Sequence, residues 1–240
     1  MTGFGFVIED IQVDWAWVAD VYSMSALTLV MLVVLELFTW NKEWQEKFQR
    51  KEIFDKYVEA WNVNLFHYTV LGPAAYAFAL WFIDKYPPYL PIYVSAPGFF
   101  MTQAVGYAVV HAKMHDPRYY AATHKYHHTF NERTFVRPVT ANSTTTAEFT
   151  VAYVMPILTG LLVFRPNYET VWMLVSLISA ANLLIHTDVD ALPMGWCPSW
   201  MVTNLKHFHH HKKDVRKHYS APILDLDSIL GLDSGSMKAN

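Results

Sequence analysis

Twelve histidines are the outlying feature of this 240-residue chain. Most of them fall into three short clusters. His111 and His115 form HxxxH, His124, His127 and His128 form HxxHH, and His207, His210 and His211 form a second HxxHH. His186 stands alone at the end of an apolar run. Neutral imidazole binds iron, zinc, copper or nickel. Spacings of three and four residues put side chains on one helix face. His111 and His115 could therefore share one metal. His124 could do so with His127 or His128, and His207 with His210 or His211. On a helix the neighbour within each adjacent pair points about 100° away, toward a second metal. A single zinc takes four ligands in its tetrahedral sites, whereas nine are on offer here. The repetition therefore suits two metals, and the ligand number beside apolar segments favours a di-iron oxygenase.

The elements that carry these clusters read as membrane spans. Hydrophobic residues make up 53% and charged residues 16%, against about 25% charged in ordinary soluble domains. Mean hydropathy is +0.13, as expected for a chain partly in a bilayer and partly in water. Nine Trp, 14 Tyr and 15 Phe suit membrane interfaces. Apolar runs over 22–40, 62–83, 90–110, 149–164 and 170–185 predict an all-α, polytopic helical membrane protein. About four to five helices would span, since some 20 residues cross a ~30 Å hydrocarbon core. Residues 41–59 hold Lys42, Lys47, Arg50, Lys51 and Lys56 among recurring aromatics, which predicts an interfacial amphipathic helix. The expected division is 1–60 for the first span and that helix, and 61–240 for the catalytic part.

Basic residues lie on the cytosolic side of membrane proteins. That puts 41–59 in the cytosol, the acidic start (Glu9, Asp10, Asp14, Asp20) in the lumen, and a histidine-rich helical cap on the cytosolic side. The first 20 residues lack the basic start of a cleavable signal. A net charge of −3 gives no support for nucleic-acid binding. One cysteine, Cys197, excludes an internal disulfide framework and a cysteine-based zinc cluster.

The order of these motifs resembles the fatty acid hydroxylase/sterol desaturase superfamily. The stretch from His111 through Asp116, Pro117, Arg118 and Tyr120 to Thr123 and the 124–128 cluster is similar to that family's centre. His210, His211, Tyr219 and residues 224–231 are similar to its closing segment. The resemblance covers roughly 105–231. It implies a helical membrane scaffold whose cytosolic cap holds two Fe ions, in the endoplasmic reticulum. It implies consumption of O2, with electrons from NAD(P)H through a separate donor such as cytochrome b5 and its reductase. It implies a lipid substrate, sterol or fatty acyl in type, that is hydroxylated or desaturated. It carries a ligand role onto His111, His115, His124, His127, His128, His186, His207, His210 and His211.

The chain departs from the family in two places. Asp190 stands where some branches have another histidine, and is expected to be solvated or to support a ligand. His218 and Ser220 flank Tyr219 where Asn and Gly are usual, so His218 is a candidate extra ligand. His209 is expected to point outward, and His67 to be a hydrogen-bonded structural residue. Asp116, Glu132, Glu148, Asp188 and Asp190 are candidate partners for the ligands. Lys206, Lys212, Lys213, Arg216 and Lys217 could dock an acidic electron carrier or lipid headgroups. The competing reading is a non-catalytic membrane metal-binding protein, a zinc transporter or sensor. It would need ionisable groups at membrane depth, and only Glu36 and His67 lie inside apolar runs.

Overall fold

The computed structural model describes residues 14–212, 218–220 and 222–230. Among them the chain is helical, and its only extended pairing is a bridge between Met201 and Leu224. Helix α1 (Trp15–Phe38) begins earlier than the apolar run because Asp14 caps it, accepting from the backbone N–H groups of Ala16 and Trp17. Asn41 caps the short α2 (Lys42–Lys47) in the same way. Helix α3 (Lys51–Lys85) is 35 residues long. The expected interfacial helix over 41–59 is thus divided. Its second half continues directly into the next span, because no breaker separates them.

Helix α4 (Ile92–Met114) follows the turn at Pro87 and Pro88, and α5 (Pro117–Thr123) follows an Asp116 cap. Then come α6 (Thr146–Phe164), α7 (Tyr168–Ile185), α8 (Asn204–Lys212) and α9 (Leu226–Ile229). Four helices, α1, α3, α6 and α7, are long and apolar enough to cross a membrane. Helix α4 has the length, but Ser95, Thr102 and Gln103 interrupt its apolar run.

The bundle is apolar outside and carries polar groups among its apolar clusters inside. Val30, Val34, Leu37, Phe38, Val109, Val163 and Leu177 are exposed, while Glu36, Asn64, Gln103, Arg137, Asn142 and Asn182 are buried. That inversion fits hydrocarbon as the surrounding solvent, because buried polar groups can pair with one another there and exposed ones cannot.

Two spans carry a π-helical turn just before a proline. One is His67–Leu71 before Pro73, and the other is Phe149–Val154 before Pro156. Proline removes the N–H that would bond the carbonyl four residues back, and wider turns take up the mismatch. The Thr69 carbonyl freed by Pro73 accepts instead from the Tyr22 hydroxyl of α1 at 3.4 Å. Helices α4 and α6 pack through glycines. A Cβ on Gly106 would meet Pro156 at 2.9 Å, one on Gly160 would meet the Phe99 carbonyl at 3.1 Å, and one on Gly98 would meet the Phe164 ring at 2.2 Å. Small residues let membrane helices approach this closely.

Residues 135–144 lie between the predicted apolar runs, yet they are buried throughout. A buried loop must find partners for its backbone, and side chains of the spans supply them. Glu36 accepts from the Val139 N–H at 2.8 Å, Asn64 donates to the Val139 carbonyl at 2.6 Å, and the His67 ring donates to the Asn142 carbonyl at 3.0 Å. Arg137 is fully buried, with its guanidinium on Glu36 at 2.8 Å and between the rings of Trp40 and Trp44.

Candidate metal centre

All nine histidines singled out by spacing and resemblance meet at one end of the bundle. His111 lies in the last turn of α4 and His115 follows that helix, His124 follows α5, and His127 and His128 lie in a 3-10 turn. His186 follows α7, and His207, His210 and His211 lie on α8. They form two groups. His111, His115, His124, His128 and His210 make one, and His127, His186, His207 and His211 the other. Within each, one nitrogen per ring lies within 4.8 Å of every other, so each group could hold a metal ion. Each adjacent pair is split between the groups, His127 from His128 and His210 from His211. The alternatives left open by spacing resolve to four-residue steps, His124 with His128 and His207 with His211.

The outer ring nitrogens fix what the inner ones can do. Nδ1 of His111 donates to the Tyr219 carbonyl at 3.1 Å, that of His124 to the Glu148 carboxylate at 2.6 Å, and that of His127 to the Ser143 carbonyl at 3.4 Å. Nδ1 of His186 donates to the Asn182 carbonyl at 2.8 Å and that of His211 to the Phe130 carbonyl at 2.9 Å. The carbonyls and the ionised Glu148 carboxylate only accept, so in these five rings the proton sits on Nδ1 and Nε2 carries a bare lone pair. The Nε2 atoms then face one another. Nε2 of His111 and His124 are 2.9 Å apart, and those of His124 and His128 are 3.0 Å apart. His186 and His207 approach to 2.8 Å, and His207 and His211 to 3.1 Å. Ring nitrogens held that close need a proton or a cation between them. Imidazole nitrogens about 2.1 Å from one ion and at right angles would lie about 3.0 Å apart, against about 3.4 Å at a tetrahedral angle. The donor set therefore fits metal, with edges tighter than tetrahedral zinc in both groups and a fifth donor in one of them.

Burial keeps the rings neutral. It lowers the pKa of His115 to about 4, with the nearby His211 adding to the effect. Burial lowers His186 to about 3 and His211 to about 4. At neutral pH these rings are unprotonated and free to bind a cation.

The remaining residues sort plainly. Glu148, 1% exposed, is the one candidate acid of the five that touches a histidine of the groups. Asp116 pairs with Arg118 at 2.7 Å, Glu132 with Lys212 at 3.1 Å, and Asp188 accepts from the backbone of exposed Asp190. Asp190, His209 and His218 lie outside both groups. His209 is exposed, and His218 is half-buried with a left-handed backbone, φ 61°. His67 is buried and stacked on Phe149, with ring centroids 4.2 Å apart. Lys206 is engaged by Asp225 and the Ser199 carbonyl, while Lys213, Arg216 and Lys217 lie outside the described residues.

Sequence reading missed Arg137, Asn182 and the role of the closing segment. Buried Ser220 and Asp227 bond each other through side chain and backbone. Asp225 caps Ser228 and binds Lys206 of α8. This lock sets the Tyr219 carbonyl under His111. An acid at position 36 inside an apolar run was the signal that a buried cation must exist to meet it.

The family model described as Fatty acid hydroxylase matches residues 96–231, more than half of the chain and every histidine of the two groups. No curated protein and no solved structure matches.

Proposed function

The chain belongs to the fatty acid hydroxylase family, and from that premise we propose a membrane-bound di-iron oxidoreductase that uses O2 to hydroxylate or desaturate a sterol or fatty acyl-type lipid in lipid biosynthesis. Membership implies an oxidoreductase acting on lipids, and the two histidine groups could bind metal. The observation that carries the finer reading is the convergence of nine ring nitrogens, five in one group and four in the other, with five of the rings aimed by an acceptor on Nδ1. Iron, when bound, supplies the O2 activation and one-electron chemistry that amino acid side chains lack.

The protein's own part is geometry and exclusion of water. Carbonyls of Tyr219, Ser143, Asn182 and Phe130 and the Glu148 carboxylate set the rings' tautomers and hold their aim. Eight of the nine histidines are buried. The same donors serve hydroxylation and desaturation, since these differ in how the substrate carbon is presented. Electrons come from NAD(P)H through a separate donor such as cytochrome b5. A cytosolic setting for the histidines is supported by charge bias, and an endoplasmic reticulum setting by family resemblance alone. Lys56, from the basic segment, donates to Thr129, directly after His128, at 3.1 Å. The zinc-transporter reading loses its pathway, because Glu36 is held by Arg137 and His67 by Asn142.

Metal analysis of purified protein tests the proposal. About two irons per chain and O2 consumption with a reductant are expected. His127→Ala and His210→Ala lie in different groups, so each should lose about one iron and both should lose activity. Protein that holds no iron and consumes no oxygen with any reductant overturns the reading. Comparing lipids of cells with and without the gene then names the substrate.

A further inference from the structure

A cavity of about 120 Å³ lies inside the bundle, walled by α1, α3, α4, α6, α7 and the buried loop. Its wall is mostly apolar, and none of its residues is charged. Gln103 of α4 lines it. This side chain is 0% exposed, and neither its amide nitrogen nor its amide oxygen has a hydrogen-bond partner. An amide left unpaired in such a place is unfavourable, so the site is built to be completed by something else.

The cavity adjoins the histidine groups. Asn182 lines it, and its carbonyl holds His186. Phe149 lines it, directly after the Glu148 that holds His124. Gln103, Tyr107 and His111 are buried at four-residue steps on one face of α4. Gln103 is therefore about 12 Å along the helix axis from the first histidine.

A primary amide offers donors and an acceptor together. Its complement is a group that also donates and accepts. A hydroxyl does so and is small enough for a space below the ~150 Å³ that holds benzene in an engineered cavity. A carboxylate only accepts, and it would bring a charge that nothing in the wall compensates. Resting on the oxidoreductase reading above, we propose that Gln103 determines specificity by binding the hydroxyl of an uncharged lipid, whose chain extends from this cavity toward the metals. The free fatty acid is thereby rejected as substrate.

The test is photo-crosslinking to purified protein in lipid nanodiscs, with a diazirine analogue of cetyl alcohol and the matching analogue of palmitate. Peptide mass spectrometry should find the alcohol probe on the cavity wall and displaced by unlabelled cetyl alcohol, while the acid probe leaves the wall unlabelled. Gln103→Leu and Gln103→Met should each cut alcohol labelling about ten-fold, the loss of one or two hydrogen bonds. Two variants guard against one misfolding, and iron per chain reports which retain the fold. Equal labelling by both probes, labelling unchanged in a folded variant, or no labelling of the wall overturns the inference. Crosslinking needs neither metal nor turnover. Loss of iron and oxygen consumption in the wild type would instead refute the di-iron reading.

Discussion

Eight of the nine histidines were legible at the scale of single residues because spacing groups them and adjacent pairs must diverge, whereas His186, standing alone, was reached through resemblance. What aims them was not legible. Four of the five acceptors on the outer nitrogens are backbone carbonyls, which every residue possesses. The fifth, Glu148, was one acid among five, and only the fold distinguishes it from the surface charges Glu132 and Asp190. With Nδ1 of His124 on its carboxylate at 2.6 Å, Glu148 both fixes the tautomer and makes the ring a stronger donor. Removing such partners weakens metal binding about 10–100-fold in known sites. Glu148→Ala should therefore release one iron to a chelator that much more readily while the second, in the group of His127, stays. Iron per chain after timed dialysis reads this. Equal loss of both ions would contradict the assignment of Glu148 to a single group.

Among the elements, the apolar runs were legible, and their number fell within the range expected. The break at residues 48–50 was not. Local composition over 41–59 favours one helix, but Phe48 is drawn into an aromatic cluster with Trp40, Trp44, Tyr57 and Phe135, at ring-centroid distances of 4.6–6.1 Å. Tertiary packing overrides local preference there. The glycines of α4 and α6 were equally silent in sequence, since closeness of approach depends on the partner. Gly106 faces the rigid ring of Pro156. Gly106→Val should lower stability by about 1–3 kcal/mol, the usual effect of overpacking, read as a lower Tm in detergent. Gly195, with nothing within 4 Å of its Cβ position, is the control, and Gly195→Ala should leave Tm unchanged.

At the scale of the whole molecule, the burial of residues 135–144 was hidden because a polar stretch ordinarily means solvent. Here the spans themselves are its solvent. Arg137 and Glu36 join that loop to α1 across a hundred residues of sequence. Removing one member of a buried pair strands the other, at about 3–5 kcal/mol, whereas replacing both with apolar residues costs much less. Arg137→Met alone should thus lower stability more than Glu36→Leu with Arg137→Met together, read by thermal unfolding in one detergent. A double variant as unstable as the two single losses added would mean that the pair is not an isolated unit. The division of the histidines also sets an order of events during synthesis. The ribosome reaches His207 only after all four spanning helices have been made. A chain halted between His186 and His207 would already own four of five donors for one ion and only two of four for the other. On the two-ion reading proposed above, the ions would be acquired in sequence, with the second waiting on the last helix to emerge.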